Sequence, residues 1–303
     1  MSKRLIIVPC HSVWKPATLS NEVSSSTYGF GETADQWDLA SFQYEGNDHL
    51  AFIVHALTGI IVLLKDIENN ILVFSGSQTK AKLGPMSEAQ SYYYLSYKII
   101  KAYLEEKPMP QCFKKVLILD LLDEILLSIS LQHRGFNLSS LFVPNLITTE
   151  EFALDSFDNL LYSIARYNET TSYYPDDITI CGFGFKEERF LKYHANAIDF
   201  PIDRITYLSD GPYPNYDNKE EKDQYFNNLE KAENKNALSL FAKDWYGTCE
   251  PLNQKKSSRN LYKRTPRYKL LETMHLNGEQ ITDCQSHFDS YIKSQMPWSI
   301  NKL

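Results

Sequence analysis

What most restricts this chain is an alternation. Four short segments, Arg4–Pro9, Ile71–Ser75, Ser140–Val143 and Asp177–Cys181, are mostly apolar or β-branched, and each runs into loop residues. Runs of that kind read as strands buried on both faces. Helical stretches separate and follow them: His49–Leu64, Ser87–Glu105, Glu150–Tyr167 and Lys186–Ala197. Strands alternating with helices imply an α/β fold, a three-layer sandwich of a mainly parallel sheet with helices on both faces, joined by right-handed crossovers. Ligands in such sheets sit beyond the carboxyl ends of the strands, which is where functional side chains are to be sought.

Two segments stand outside the alternation. Lys107–Asn137 reads as a helical insertion with Leu117, Leu121, Ile125 and Leu126 on one stripe. Everything after about Pro212 reads as an extension packing on the domain, so the expected division is an α/β domain over 1–211 and a C-terminal arm over 212–303. The arm begins with the charged stretch Asp217–Asn236, whose Lys and Glu alternate as on a solvated helix, and continues into the aromatic and basic tract Trp245–Tyr268.

Composition then removes several classes of function. The net charge is −7, which argues against a bulk nucleic-acid binder. Five dispersed cysteines with no C-x-x-C pair suit neither a disulfide framework nor a zinc site, and seven histidines without ligand spacing leave a metal-free site as the expectation. The apolar run after Lys3-Arg4 is broken by Pro9 and is too short for a signal peptide. Val116–Leu131 is too short to span a bilayer and carries Asp120, Asp123 and Glu124, so it reads as a packed helix. A cytoplasmic protein with no membrane attachment is the resulting expectation.

Four constellations hold residues capable of chemistry. In Ser75-Gly76-Ser77-Gln78-Thr79 a strand runs into successive backbone N–H groups, and Ser87-x-x-Gln90 has capping-box spacing, so turn and helix start could converge on an anion. Taken alone, the same residues also describe an ordinary turn and cap. In Thr148–Asn159, Thr148-x-x-Glu151 has capping-box spacing. Asp155, Ser156 and Asn159 share a polar face with Ser163 and Arg166, opposite an apolar face of Ala153, Phe157, Leu160, Leu161 and Ile164. That polar stripe reads either as a cleft lining or as a solvated face. After Asp177–Cys181 come Gly182-x-Gly184, Lys186 and Arg189, cations suited to an anionic ligand, while His194 falls on the apolar stripe and reads as a buried, hydrogen-bonded core histidine. Lys255–Lys269 has seven basic residues in fifteen and reads as an arm docking on the acidic body, with one or two cations reaching the anion pocket.

The order of these pieces resembles the YdcF/SanA-like family of unknown function. That pattern is a first strand, a Ser-Gly-Gly turn, a Thr/Ser-Glu-Ala motif, Glu-x-x-Ser-x-Asp/Asn-Thr-x-Glu-Asn, and His-x-x-Arg on a helix. Here Ser75-Gly76-Ser77, Ser87-Glu88-Ala89, Glu150 with Asp155–Asn159, and Lys186-x-x-Arg189 occupy the corresponding places. Ser77 stands for the second glycine, Ala153 for the serine, Asp158 for the glutamate and Lys186 for the histidine, and the last change removes the evident proton-transfer group. Pro9-Cys10-His11-Ser12, Phe42-Gln43, Asp244-x-Tyr246-Gly247 and Lys255-Lys256-x-x-Arg259-Asn260 are similar to the eukaryotic, largely fungal branch. The resemblance implies a Rossmann-like domain and leaves the activity open.

The functional expectation is a small anionic ligand, phosphate- or nucleotide-like, at the carboxyl edge of the sheet, handled by a metal-independent hydrolase or transferase. Glu88 and Asp155 are the candidate acid and base. Ser75, Gly76, Ser77, Gln78, Ser87, Glu150, Ser156, Asn159, Lys186 and Arg189 are the candidate ligand contacts. An S-adenosylmethionine or adenine-nucleotide binder, with Asp155 or Asp177 on a ribose hydroxyl, is one alternative. A non-enzymatic protein that contacts partners through 107–137 and the basic arm is another.

Overall fold

The computed structural model describes residues 3–15, 29–105, 113, 116–132 and 137–300. Its centre is a five-stranded, all-parallel sheet. The strands are β1 (Arg4–Pro9), β2 (Asn70–Ser75), β3 (Ile147–Glu150), β4 (Asp177–Gly182) and β5 (Ile205–Ser209), in spatial order β3-β2-β1-β4-β5. The chain winds outward from β1 to β3, then returns to place β4 on the other side of β1. The topological switch point therefore lies between the carboxyl ends of β1 and β4.

Period-two alternation divides the core between two faces. Ile6, Val8, Leu72 and Phe74 pack against helices α1 (Asp48–Lys65), α2 (Glu88–Leu104) and α3 (Val116–Gln132). Leu5, Ile7, Ile71 and Val73 pack on the opposite side against α4 (Ser156–Thr171) and the C-terminal segments. The approach of α1 to the sheet is close. A Cβ on Gly59 would lie 2.9 Å from Val8 and 3.0 Å from Leu72, so only glycine fits this crossing. Length and composition alone would let α1 cross a membrane, but its apolar residues form the core of this layer.

Several elements differ from the sequence reading. Ser140–Val143 is not a strand: a short helix occupies Leu138–Leu141 and the strand follows at Ile147–Glu150. Two apolar runs lie close together there, and only pairing with β2 selects the second. The helix expected from Glu150 begins at Ser156, because Asp155 caps it by accepting from the Asp158 amide at 2.9 Å. Thr148 and Glu150 remain in the strand, so the Thr148–Glu151 capping box is not formed; Thr149 donates to Glu151 instead. The edge strand β5 is half-exposed and lacks the continuous apolar run by which the others were read.

Of the expected insertion 107–137, residues 113, 116–132 and 137 are described. Helix α3 lies on α1 through Ile118, Leu122, Ile125 and Ile129; of the expected stripe, Ile125 is in this core and Leu121 packs against it, whereas Leu117 is exposed. After β5 come α5 (Lys219–Glu233), solvated as its charge pattern suggests and buried only at Glu233, and α6 (Leu252–Arg259). Phe241, Tyr246, Leu252, Tyr268, Leu271, Met274 and Trp298 join the core on the α4 face, so the tail completes a layer of the sandwich.

Candidate functional site

At the carboxyl end of β2 the chain turns back through Gly76. A Cβ there would lie 2.9 Å from Glu88 Oε2 and 3.0 Å from Cys10, so glycine is what admits the Glu88 side chain beneath the turn. The amides of Gly76 and Ser77 donate to the carbonyls of Glu150 and Ala153 at 2.9 and 3.0 Å. Those of Glu88 and Ala89, opening α2, donate to the carbonyls of Ser77 and Gly76. The expected anion cradle is thus closed by main chain and offers a ligand none of these N–H groups. Ser87 and Gln90 form the expected capping box, and Gln78 bridges the Pro85 carbonyl and Arg264.

Glu150, Ser75 and Asn159 also prove internal. Glu150 is 0% exposed and accepts from the Ser75 hydroxyl, the Phe152 and Ala153 amides and the Tyr268 hydroxyl at 2.7–3.2 Å. Asn159 donates to both Ser75 oxygens at 3.0 Å. Burial lifts the Glu150 carboxyl to about 7. The network is complete without a ligand and ties β2, β3, α4 and the tail together. Asp155, expected as an acid or base, is a helix cap whose second oxygen lies 3.2 Å from Lys256, and Lys256 also donates to Asp158 at 2.7 Å. Burial and the neighbouring Asp155 raise the Asp158 carboxyl. Burial pulls Lys256 down, but the two carboxylates outweigh it and hold the ammonium above its ordinary range. Asp177 begins β4, at the edge of the sheet away from all these residues, and is not placed to meet a ribose on the carboxyl side.

The switch point holds a different set. His11, the second residue after β1, stacks on Phe183 just beyond β4 with centroids 5.4 Å apart. Lys186 Nζ lies 3.2 Å from His11 Nδ1 and 3.4 Å from Nε2. Burial, then the adjacent Lys186, hold the imidazole well below its usual range, so it is neutral. Burial, then Arg189, bring Lys186 down to about 7, with Arg259 acting in the same direction. Lys255 is lowered by burial and then by Arg259 and Arg189. The four cations share one electrostatic field, which the carboxylates of Glu233 and Asp48 offset in part at Lys186. Arg189 pairs with Glu233 at the end of α5, and Arg259 donates to the Leu154 carbonyl at 2.7 Å. Glu88 faces the same field: burial raises its carboxyl, whereas the Thr79 hydroxyl at 2.5 Å and the charges of Lys80, Arg259 and Lys186 oppose that rise.

Of the candidate residues, the structure therefore brings together Glu88, Lys186, Arg189 and Ser156, whose Oγ lies 3.3 Å from Arg189 Nη1. His11, Arg259 and Glu233 complete the site and were not singled out for it. The signal for His11 was its place directly after β1, which becomes informative once the strand order is known. Chemically, a lysine that titrates near neutrality beside a neutral imidazole can take or give a proton, and two guanidinium groups can hold a phosphate-like anion. Among the described residues no group of three or more His, Cys, Asp or Glu is arranged to hold a metal ion.

No family model matches the chain, and no solved structure matches it. The chain is 45% identical over 300 residues to the uncharacterized protein YOR238W of Saccharomyces cerevisiae (strain ATCC 204508 / S288c), and the alignment spans 97% of each protein. His11, Lys186, Arg189 and Arg259 thus sit in a chain that belongs to the family of that yeast protein.

Proposed function

We propose that this protein is a YdcF/SanA-like cytosolic hydrolase or transferase that binds a small phosphate-bearing anion, such as a nucleotide, between the carboxyl ends of β1 and β4. The observation that carries the reading is the gathering of Lys186, Arg189, Lys255 and Arg259 in one field, with Lys186 brought to about 7 by its burial and, after that, by Arg189 and Arg259. Like charges held together in a partly enclosed place are destabilising until an anion joins them. Glu88 and the Lys186–His11 pair supply proton transfer beside that anion, a role Asp155 cannot fill while capped and paired. The sulfonium of S-adenosylmethionine is itself a cation and suits this cluster poorly.

Calorimetric titration of the full chain with inorganic phosphate and with ATP tests the proposal. Phosphate should bind, and Lys186→Met or Arg259→Ala should each weaken it by roughly 10-fold or more, the worth of one charge-assisted hydrogen bond. Equal affinity in wild type and both variants, or no binding at millimolar phosphate, refutes it. Arg189→Ala is the less clean variant, because it strands the buried carboxylate of Glu233.

A further inference from the structure

The helix that follows β4 is not α-helical throughout. Residues Arg189–His194 form a π-helical turn, and a second one, Asn234–Leu238, directly follows Glu233; the two are in contact. In an α-helix, residues five apart point to different faces. The wider i→i+5 turn stacks them, and such bulges recur at functional sites. Here it brings Arg189 and His194 onto one atom. Ser156 Oγ lies 2.8 Å from His194 Nε2 and 3.3 Å from Arg189 Nη1. Ser156 is the first residue of α4, so the positive end of that helix dipole also bears on its hydroxyl. His194 is 0% exposed, seated among Phe157, Phe190 and Phe241, and its Nδ1 has no hydrogen-bond partner among the described residues. Burial, then the charge of Arg189, hold the ring well below the usual imidazole range, leaving it neutral. A buried histidine whose ring meets a serine hydroxyl, with no other hydrogen-bond partner among the described residues, has the relation of base to nucleophile.

We propose that Ser156 is a nucleophile activated by His194, with Arg189 holding the charge of the group under attack. For the class of electrophile, a phosphate monoester, this rests on the anion-binding reading above. Ser156 Oγ attacks phosphorus, forming the Oγ–P bond while the ester P–O bond breaks. The serine proton passes to His194 Nε2 and from there to the departing alkoxide oxygen. Water then attacks the phosphoserine and gives its proton to the same nitrogen. The Oγ–P bond breaks, phosphate leaves, and the proton returns to Oγ. The carboxylate of Glu233 now occupies the guanidinium that the phosphate would use, so the end of α5 must move aside for the ester to reach Ser156, which is 7% exposed.

A fluorophosphonate tests the nucleophile without a known substrate, since an activated serine displaces its fluoride and keeps the phosphonyl group. Full-length protein should gain one adduct, mapped to Ser156 by peptide mass spectrometry. Ser156→Ala should stay unlabelled at that peptide, and Glu233→Gln should label faster. His194→Gln should slow labelling by roughly 10²-fold. Should that variant fail to fold, the wild-type rate carries the same information. With a neutral imidazole as base it is flat from about pH 6 to about pH 9, whereas an unassisted serine reacts roughly ten times faster per pH unit. Absence of label at Ser156 in both wild type and Glu233→Gln, or that tenfold rise, overturns the proposal. Labelling at Ser156 that inorganic phosphate does not slow would uphold the nucleophile and remove the phosphate pocket. Phosphate binding without label would do the reverse.

Discussion

Two groups of polar residues meet at the carboxyl edge of the same sheet and behave oppositely. Around β2 and β3, Glu150 accepts four hydrogen bonds and Asn159 braces Ser75. Around β1 and β4, Lys186, Arg189, Lys255 and Arg259 repel one another, with Glu233 supplying a carboxylate to Arg189. The first group closes its hydrogen bonds on itself, whereas the second, although each cation has a hydrogen-bond partner, gathers more positive charge than the paired carboxylate of Glu233 offsets. Charge balance, more than residue type, separates a structural network from a binding site here, because a closed and balanced network has nothing to gain from a charged guest.

The largest test of that contrast is Glu150→Ala. It strands the Ser75 and Tyr268 hydroxyls and two amides, and should destabilise the fold by about 4 kcal/mol in chemical denaturation. Lys256→Met comes next, at about 3 kcal/mol, because it leaves Asp158 buried without its cation. Phosphate affinity should survive in whatever fraction of either variant remains folded. Loss of binding at unchanged stability would show that the two regions are not separate.

The same contrast sets opposite pH dependences. Burial raises Glu150 to about 7 from an ordinary 4.5. Its folded form holds the proton more tightly, so its contribution is complete below about 4.5 and fades as pH climbs through about 7. Lys186 is lowered to about 7 from 10.5, so its contribution is complete only above about 10.5 and is lost as pH falls through about 7. Glu150→Gln should therefore remove a decline in melting temperature between pH 4.5 and 7. Lys186→Met should remove a rise between pH 7 and 10. Parallel profiles for both variants and wild type would mean the two groups do not differ in solvation.

How far the residues alone disclosed this follows from what each signal measures. Strands β1, β2 and β4 and helices α1 and α2 were legible because burial on both faces, or a continuous apolar stripe, leaves a local pattern. The half-exposed edge strand β5 leaves none, and β3 was displaced because only pairing with β2 decides between adjacent apolar runs. In the site, Lys186 and Arg189 were readable as cations after a strand. Whether Glu150 and Asp155 were free was not, since that depends on Tyr268 and Lys256, each about a hundred residues further along the chain. His11 needed the strand order, and the meeting of Arg189 with His194 needed the π-helical turn, which no periodicity announces.

The smallest effect sharpens the comparison furthest. Arg259 lies at the surface, where its side chain donates to the Leu154 carbonyl and shares its field with three other cations. Arg259→Ala should change stability by no more than about 0.5 kcal/mol, because the lost bond is exposed and the relieved repulsion offsets it. Adding phosphate should then separate the proteins: wild type gains melting temperature with ligand concentration and the variant gains less. A variant that is both less stable and equally protected by phosphate would place Arg259 with the structural group, and the crowding at β1 and β4 would lose its meaning as a site.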